Sequence, residues 1–474
     1  MFKIFVNSDE NWIKSRSKIH QNLIIIGLAW FLLFTAFQSM ANLQSSLNSD
    51  SGLGTLSLST IYITLVISCF FWPPIMIKHL GIKKTILFSQ FAYLIFIAAN
   101  TYPKWYTLLP SAVILGIFAG PLWTAKCTYL TEIAGFYSTL SGELNEAVVN
   151  RFFGIFFAMF QMSQIAGNLI SSTVLKPENL DGQKNVNLAI CGYNECPQIV
   201  SEQGVNLKKA ELSTVYTLCF IYIFLGFMSI LLIKLALSEY KSYKILEDKK
   251  TEINFDIFMS TIRQLKNKEQ LLILPLTLWL GFSLAFIGAD YTKSFISCAK
   301  GVDYVGFAMI FFGLLNVIGS YVFGLLVKYI GRVPCFLFAA CLNYFLMIIM
   351  MKWDLATNDY LFYLIPALWG LADSAWQTQV NSIYGVLFKT NQEAAFSNFR
   401  LWESVGFAIS YAYSNYLCIS TKLNLMFFYL TMGMLGYLCI EYNQNNLNFS
   451  KLNNFKALMT VVLGSFFTYF YFFM

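Results

Sequence analysis

Twelve separate stretches of this chain are each apolar enough and long enough to cross a bilayer, and that repetition constrains the fold more than any motif. Crossing about 30 Å of hydrocarbon at about 1.5 Å per residue takes roughly 20 residues. Such runs lie near 22–42, 57–77, 85–100, 105–130, 152–175 and 213–236. A second set lies near 271–289, 305–327, 334–351, 361–388, 400–418 and 424–440. Each must be helical, because lipid offers no hydrogen-bond partner to exposed backbone. Composition agrees. Of 474 residues, 57% are hydrophobic and only 12% are charged. A soluble domain carries about twice that charged share. An all-α polytopic membrane protein is expected.

The longest hydrophilic stretch between runs, 237–270, parts six from six. The expected organisation is a polar segment 1–21, a six-helix bundle 22–236, the connector 237–270, a second bundle 271–440 and a tail 441–474. In the connector, Phe255, Ile257, Phe258, Ile262 and Leu265 suit an amphipathic helix on the membrane surface, or else a solvated linker. The tail ends in a hydrophobic run, 457–474, which reads as a thirteenth span or an interfacial helix.

Charge predicts orientation. Lys3, Lys14, Arg16, Lys18, Lys78, Lys83, Lys84, Lys328, Arg332, Lys389 and Arg400 fall on one side, together with the basic residues of the connector. By the positive-inside rule that side, with the N-terminus, is cytoplasmic. Residues 1–21 are polar and the first apolar run is long enough to span, so no cleavable signal is expected. Lipid is the partner such a surface implies. The net charge of +7 forms no basic patch with interleaved aromatics, so nucleic acid is not expected. No sorting signal separates plasma membrane from endomembrane. Asn448-Phe449-Ser450 fits a glycosylation pattern but falls on the cytoplasmic side.

The two sets of runs echo each other. Ile77-Lys78-His79-Leu80-Gly81 after the second run matches Val327-Lys328-Tyr329-Ile330-Gly331 after the eighth, 250 residues on. Gln164, Gly167, Ile170 and Ser171 match Glu403, Gly406, Ile409 and Ser410, and Trp123 matches Trp376. In-order matches argue for a duplicated unit. Both units begin on the same side, which makes them parallel repeats of the major-facilitator type.

Polar side chains inside a membrane should face protein or water. In the tenth run Asp373, Gln377, Asn381 and Tyr384 step by four, four and three, which confines them to an arc of about 80°. The matching face of the fourth run carries Gly120, Thr124, Thr128 and Thr131. Asp373, Gln377, Asn381, Tyr384, Thr124 and Thr128 are therefore candidates to line a central cavity. The alternative is hydrogen bonding that glues helices together. Smaller stripes are Gln161, Gln164, Asn168 and Ser171 in the fifth run, Glu403, Ser410 and Ser414 in the eleventh, and Thr35, Gln38 and Asn42 in the first. Asp373 sits mid-span, where it could carry a proton or serve structure. Glu403 lies one turn from Arg400, a spacing that predicts a structural ion pair. Lys126 points about 160° away from Thr128, which opposes a salt bridge to Asp373 and favours snorkelling to the membrane edge.

Most of the ten cysteines fall within runs, as small packing residues. Cys191 and Cys196 lie in the 176–211 loop on the non-cytoplasmic side, where they could bond to one another or stay free. His20 and His79 are the only histidines. With no metal-ligand cluster, nucleophile elbow or phosphate-cradling loop, neither cofactor, metal nor enzymatic activity is expected.

Further segments are distinctive in combination. They include Asn42-Leu43-Gln44-Ser45-Ser46-Leu47, Gly52-Leu53-Gly54, Leu58-Ser59-Thr60, Trp105-Tyr106-Thr107-Leu108-Leu109-Pro110 and Pro121-Leu122-Trp123. Others are Cys127-Thr128-Tyr129-Leu130-Thr131, Gly167-Asn168-Leu169-Ile170-Ser171-Ser172, Leu368-Trp369-Gly370-Leu371-Ala372-Asp373, Glu393-Ala394-Ala395-Phe396 and Arg400-Leu401-Trp402-Glu403. Through these the chain resembles the unc-93-like family of major-facilitator proteins. The resemblance implies twelve spans and a eukaryotic membrane setting. It also implies an accessory role, since relatives are described as a regulatory subunit of a muscle potassium channel and as a chaperone of nucleic-acid-sensing receptors. A channel or receptor subunit is then the expected partner. The two-half architecture implies the alternative, a secondary transporter of a small solute with proton coupling through Asp373. Two departures stand out. Lys126 replaces an expected neutral residue, and the 457–474 run replaces part of a cytoplasmic tail.

Overall fold

A computed structural model describes residues 9–47, 53–174, 188–196, 212–239, 259–300, 303–414 and 416–444. Each apolar run becomes helix, and several helices continue well past the apolar limits. In chain order they are α1 (Asp9–Leu47), α2 (Leu53–Cys69), α3 (Trp72–Leu80), α4 (Ile82–Ala99), α5 (Trp105–Ser141), α6 (Asn145–Val174) and α7 (Leu212–Ala236). The second half holds a short α8 (Ser260–Gln264), then α9 (Lys268–Ala285), α10 (Asp303–Ile330), α11 (Arg332–Lys352), α12 (Leu361–Leu387), α13 (Gln392–Ser414) and α14 (Ile419–Asn443). No strand forms among the described residues. Phe255, Ile257 and Phe258 of the connector, the Asn448-Phe449-Ser450 pattern and the 457–474 run lie outside the described residues.

The second run is not one straight span. α2 and α3 meet at a 66° bend. Pro73 and Pro74 open α3. They have no N–H to bond back across the break, so the ladder stops at Cys69. Counting the bent pair as one, ten helices among the described residues are long and apolar enough to cross a membrane. The helices left out of that set are the five-residue α8 and the polar α12 and α13. α12 escapes the need for apolarity because protein covers it: every residue from Ala372 to Gly385 is buried. By contrast Phe220, Phe224 and Phe227 of α7 are exposed, as lipid-facing side chains should be.

The turns after α3 and after α10 have one geometry. Gly81 and Gly331 take φ of 78° and 77°. Each N–H caps the carbonyl four residues back, on Ile77 and Val327, at 3.0 Å. Only glycine accepts that φ without strain, so both turns need it.

The halves meet along two seams. α6 runs beside α10, and α2 beside α13. In the first seam backbones touch: a Cβ on Gly154 would stand 2.6 Å from the Gly324 Cα. In the second, Tyr62 stacks on Phe407 with ring centres 4.9 Å apart. At one end of the bundle, charges tie the halves. Lys328 reaches Glu143 at 3.6 Å, and Arg332 reaches Glu146 at 3.2 Å while pairing with Glu441. Arg151 hydrogen-bonds Glu143 at 3.0 Å and holds its carboxyl below the usual carboxylate range. That tie is therefore present at neutral pH and lost as acid protonates Glu143.

At the opposite end, Cys191 bonds to Cys298 and Cys196 to Cys418. Cys191 and Cys196 therefore neither bond to one another nor stay free, the two outcomes the sequence left open, and Cys418, which falls within the eleventh run, does more than pack. The physical reason is the fold of the loop. A 3₁₀ turn, Gly192–Asn194, separates the two cysteines, and the segment lies over the end of the second half. Ile419 N–H donates to the Glu195 carbonyl there at 3.0 Å. Each cysteine thus meets a partner from a different helix end.

Two outcomes follow. Non-reducing digestion with mass spectrometry should recover the 191–298 and 196–418 linked peptides and no 191–196 loop. Gly154→Val should separate α6 from α10 and destabilise the fold by about 1–3 kcal/mol, read as a lower melting temperature in detergent.

Candidate functional site

The polar stripe of α12 is met by a different helix at almost every step. Asp373 Oδ2 accepts a hydrogen bond from Asn316 Nδ2 of α10 at 2.7 Å. Trp376 Nε1 donates to Asn343 of α11 at 2.7 Å. Asn381 Oδ1 accepts from Cys127 Sγ of α5 at 3.2 Å and from Arg400 Nη2 of α13 at 3.3 Å. The Tyr384 hydroxyl accepts from Gln270 at 2.9 Å and shares a hydrogen bond with Thr277 at 3.0 Å, both on α9. Gln377 is buried between Asp373 and Asn381 and uses its backbone carbonyl to accept from Asn381. One helical stripe thus joins α12 to α5, α9, α10, α11 and α13. Interhelical bonds of this kind contribute about 0.6–2 kcal/mol each inside a membrane.

The smaller stripes of α1 and α6 meet each other. Ser163 donates to Gln38 at 2.6 Å, and Asn42 donates to Asn168 at 3.4 Å. Thr124 and Thr128 are buried, and their hydroxyls have no hydrogen-bond partner among the described residues.

Arg400 is the hub. Its guanidinium pairs with Glu403, as the spacing predicts. It also lies over the Trp123 ring of α5 at 4.5 Å, and over Phe399 at 4.4 Å. α13 begins at Gln392, so Arg400 stands about 12 Å inside the helix. It is buried at the join of the halves, not at the membrane edge as its place in the eleventh run suggested.

Lys126 departs further from expectation. It does not snorkel: the side chain is fully buried. α5 continues to Ser141, so the ammonium lies about 22 Å from that helix end, beyond a lysine's reach. Aromatic rings enclose it instead. Their centres lie 4.4 Å away for Phe156, 4.7 Å for Phe157, 4.9 Å for Trp123 and 5.6 Å for Phe153. Desolvated cation–π contacts contribute about 2 kcal/mol each. Taking an ammonium out of water costs several kcal/mol. The two effects are of one size, so the ring cage is what makes this burial tolerable.

Sequence reasoning missed a second buried pair. After Ala285, α9 widens into a π-helical stretch, Phe286–Ser297, a form that often accompanies functional sites. Asp290 lies in it, paired with Lys422 of α14 at 2.7 Å and accepting from Ser414 at 2.6 Å. Both charged residues fall just past the apolar limits, at 289 and before 424, so they read as loop.

Removing one partner of a buried ion pair strands the other. Glu403→Gln should therefore destabilise the protein by about 3–5 kcal/mol. The double change Arg400→Met with Glu403→Leu should recover most of that loss in the same melting assay.

Residues 45–440 match a family described as ion channel regulatory protein UNC-93. Protein unc-93 homolog A of Xenopus laevis is 42% identical over 427 residues, covering 89% of this chain and 93% of that one. The Homo sapiens homolog A is 36% identical over 425 residues, covering 89% and 93%. The putative potassium channel regulatory protein unc-93 of Caenorhabditis elegans is 35% identical over 437 residues, covering 90% of this chain and 62% of that protein. Among solved structures, the human organic anion transporter MFSD10 (TETRAN) superposes with a TM-score of 0.57 at 11% identity, over 87% of this chain and 99% of that one. The E. coli fucose:proton symporter FucP gives 0.58 at 13% identity, over 86% and 97%. Those likenesses place the fold with the major-facilitator transporters. This multi-pass membrane chain belongs to the UNC-93 family.

Proposed function

We propose that this chain is an accessory subunit that regulates another membrane protein, an ion channel being the first candidate. One observation carries the reading: Asp373, Asn381 and Tyr384 of the α12 stripe are each engaged by a side chain of a neighbouring helix. A helix tied to five others suits a rigid body that presents its outer surface to a partner. The naming of the family and of the Caenorhabditis elegans relative points the same way.

The proposed topology has twelve spans in two parallel six-helix units, with the N-terminus in the cytoplasm. Its support is the charge asymmetry and the place of Cys191, Cys196, Cys298 and Cys418 at the end away from the Lys328 and Arg332 ties. Disulfides persist on the oxidising side of a membrane.

The second reading is a secondary transporter working by alternating access, with Asp373 as proton carrier. It is favoured by the symporter folds this chain resembles and by the buried carboxylate of Asp373. One experiment separates the two. The purified chain in liposomes is screened for solute flux beside Asp373→Asn, which keeps an oxygen for Asn316 to donate to. In parallel, it is co-expressed with potassium channels of its own genome and currents are recorded. Altered current without flux is the expected result. Flux above the empty-vesicle level that Asp373→Asn abolishes would overturn the accessory reading.

A further inference from the structure

Two cations from opposite halves converge on one indole. Lys126 Nζ of α5 lies 4.9 Å from the Trp123 ring centre, and Arg400 Cζ of α13 lies 4.5 Å from it. Both residues are buried, Lys126 completely. Like charges in a low-dielectric interior repel strongly. Glu403 neutralises one of them by pairing with Arg400 Nη1. No carboxylate among the described residues pairs with the other. Lys126 Nζ has no hydrogen-bond partner, and neither has Arg400 Nε. Asp373, the buried carboxylate of α12, is held from the α10 side by Asn316. The rings around Lys126 soften its charge but accept no strong N–H bond.

We propose that a singly charged anion binds between Lys126 and Arg400. Two sources supply that chemistry: a halide, or the carboxylate of a small organic acid. Either would accept from Lys126 Nζ and Arg400 Nε, the donors left over, and would relieve the repulsion between them. The site is made of one cation from each half. Binding therefore favours the arrangement in which the halves are closed, and the anion acts as a clamp whose release loosens the join. This holds whether the protein regulates a partner or carries a solute.

The test is direct binding to the full chain, purified in detergent in chloride-free buffer at constant ionic strength. Radiolabelled chloride and radiolabelled benzoate are each titrated. Saturable binding of one of them, at about one per chain, is expected, and which one saturates identifies the source. Lys126→Met should weaken it by about tenfold or more. Lys126→Arg should retain it, and Lys104→Met, at an exposed lysine, should leave it unchanged. Should Lys126→Met fail to fold, the wild-type titration and the Lys126→Arg chain still decide. Absence of saturable binding of both anions, or equal binding by wild type and a folded Lys126→Met chain, would overturn the proposal.

Discussion

A guanidinium cannot be left unpartnered where there is no water, and the interior of this protein is arranged around that constraint at Arg400. Glu403 supplies the counter-charge from the same helix, Asn381 accepts from the adjacent one, and Trp123 offers its ring from the other half. Each of these contacts comes from a different part of the chain. Together they fix how α12, α13 and α5 approach. The same rule explains why α12 can be so polar. Its residues from Ala372 to Gly385 are all buried by protein, and Asp373, Asn381 and Tyr384 are matched by side chains of neighbouring helices.

The two ends of the bundle follow different chemistry. At one end, Glu143, Glu146, Lys328 and Arg332 tie the halves with ion pairs that water can screen. At the other, the 188–196 segment is joined covalently to the second half through Cys298 and Cys418. Between them the Gly154–Gly324 contact and the Tyr62–Phe407 stack close the seams. The resulting join is braced along its length.

Much of this was legible in the sequence, and what was not has physical causes. Apolar length located the ten helices among the described residues that are long and apolar enough to cross a membrane, because hydrocarbon thickness sets it. The spacing of Arg400 and Glu403 predicted their pair, and the spacing of Asp373 to Tyr384 predicted a shared face. Periodicity could not say what that face meets, since partners such as Asn316, Gln270 and Cys127 come from distant segments. Lys126 was misread because the fourth run was taken to end near residue 130, which put the lysine at a helix end, whereas α5 runs to Ser141. For Cys191 and Cys196 the sequence left open a bond to one another or two free thiols, whereas the fold brings to them cysteines 107 and 222 residues away. Asp290 and Lys422 were hidden by small errors in helix ends.

The account rests on protein, not water, surrounding the polar residues of α12. Solvent access to that helix in native membranes tests it most directly. Gln377→Cys and Ser382→Cys would be treated with a membrane-impermeant thiol reagent, with modification at each position read by mass spectrometry. Leu144→Cys, at an exposed site, serves as the reactive control. The account predicts rapid modification at 144 and none at 377 or 382 from either side. Modification at 377 or 382 at a rate near that of the control would contradict it.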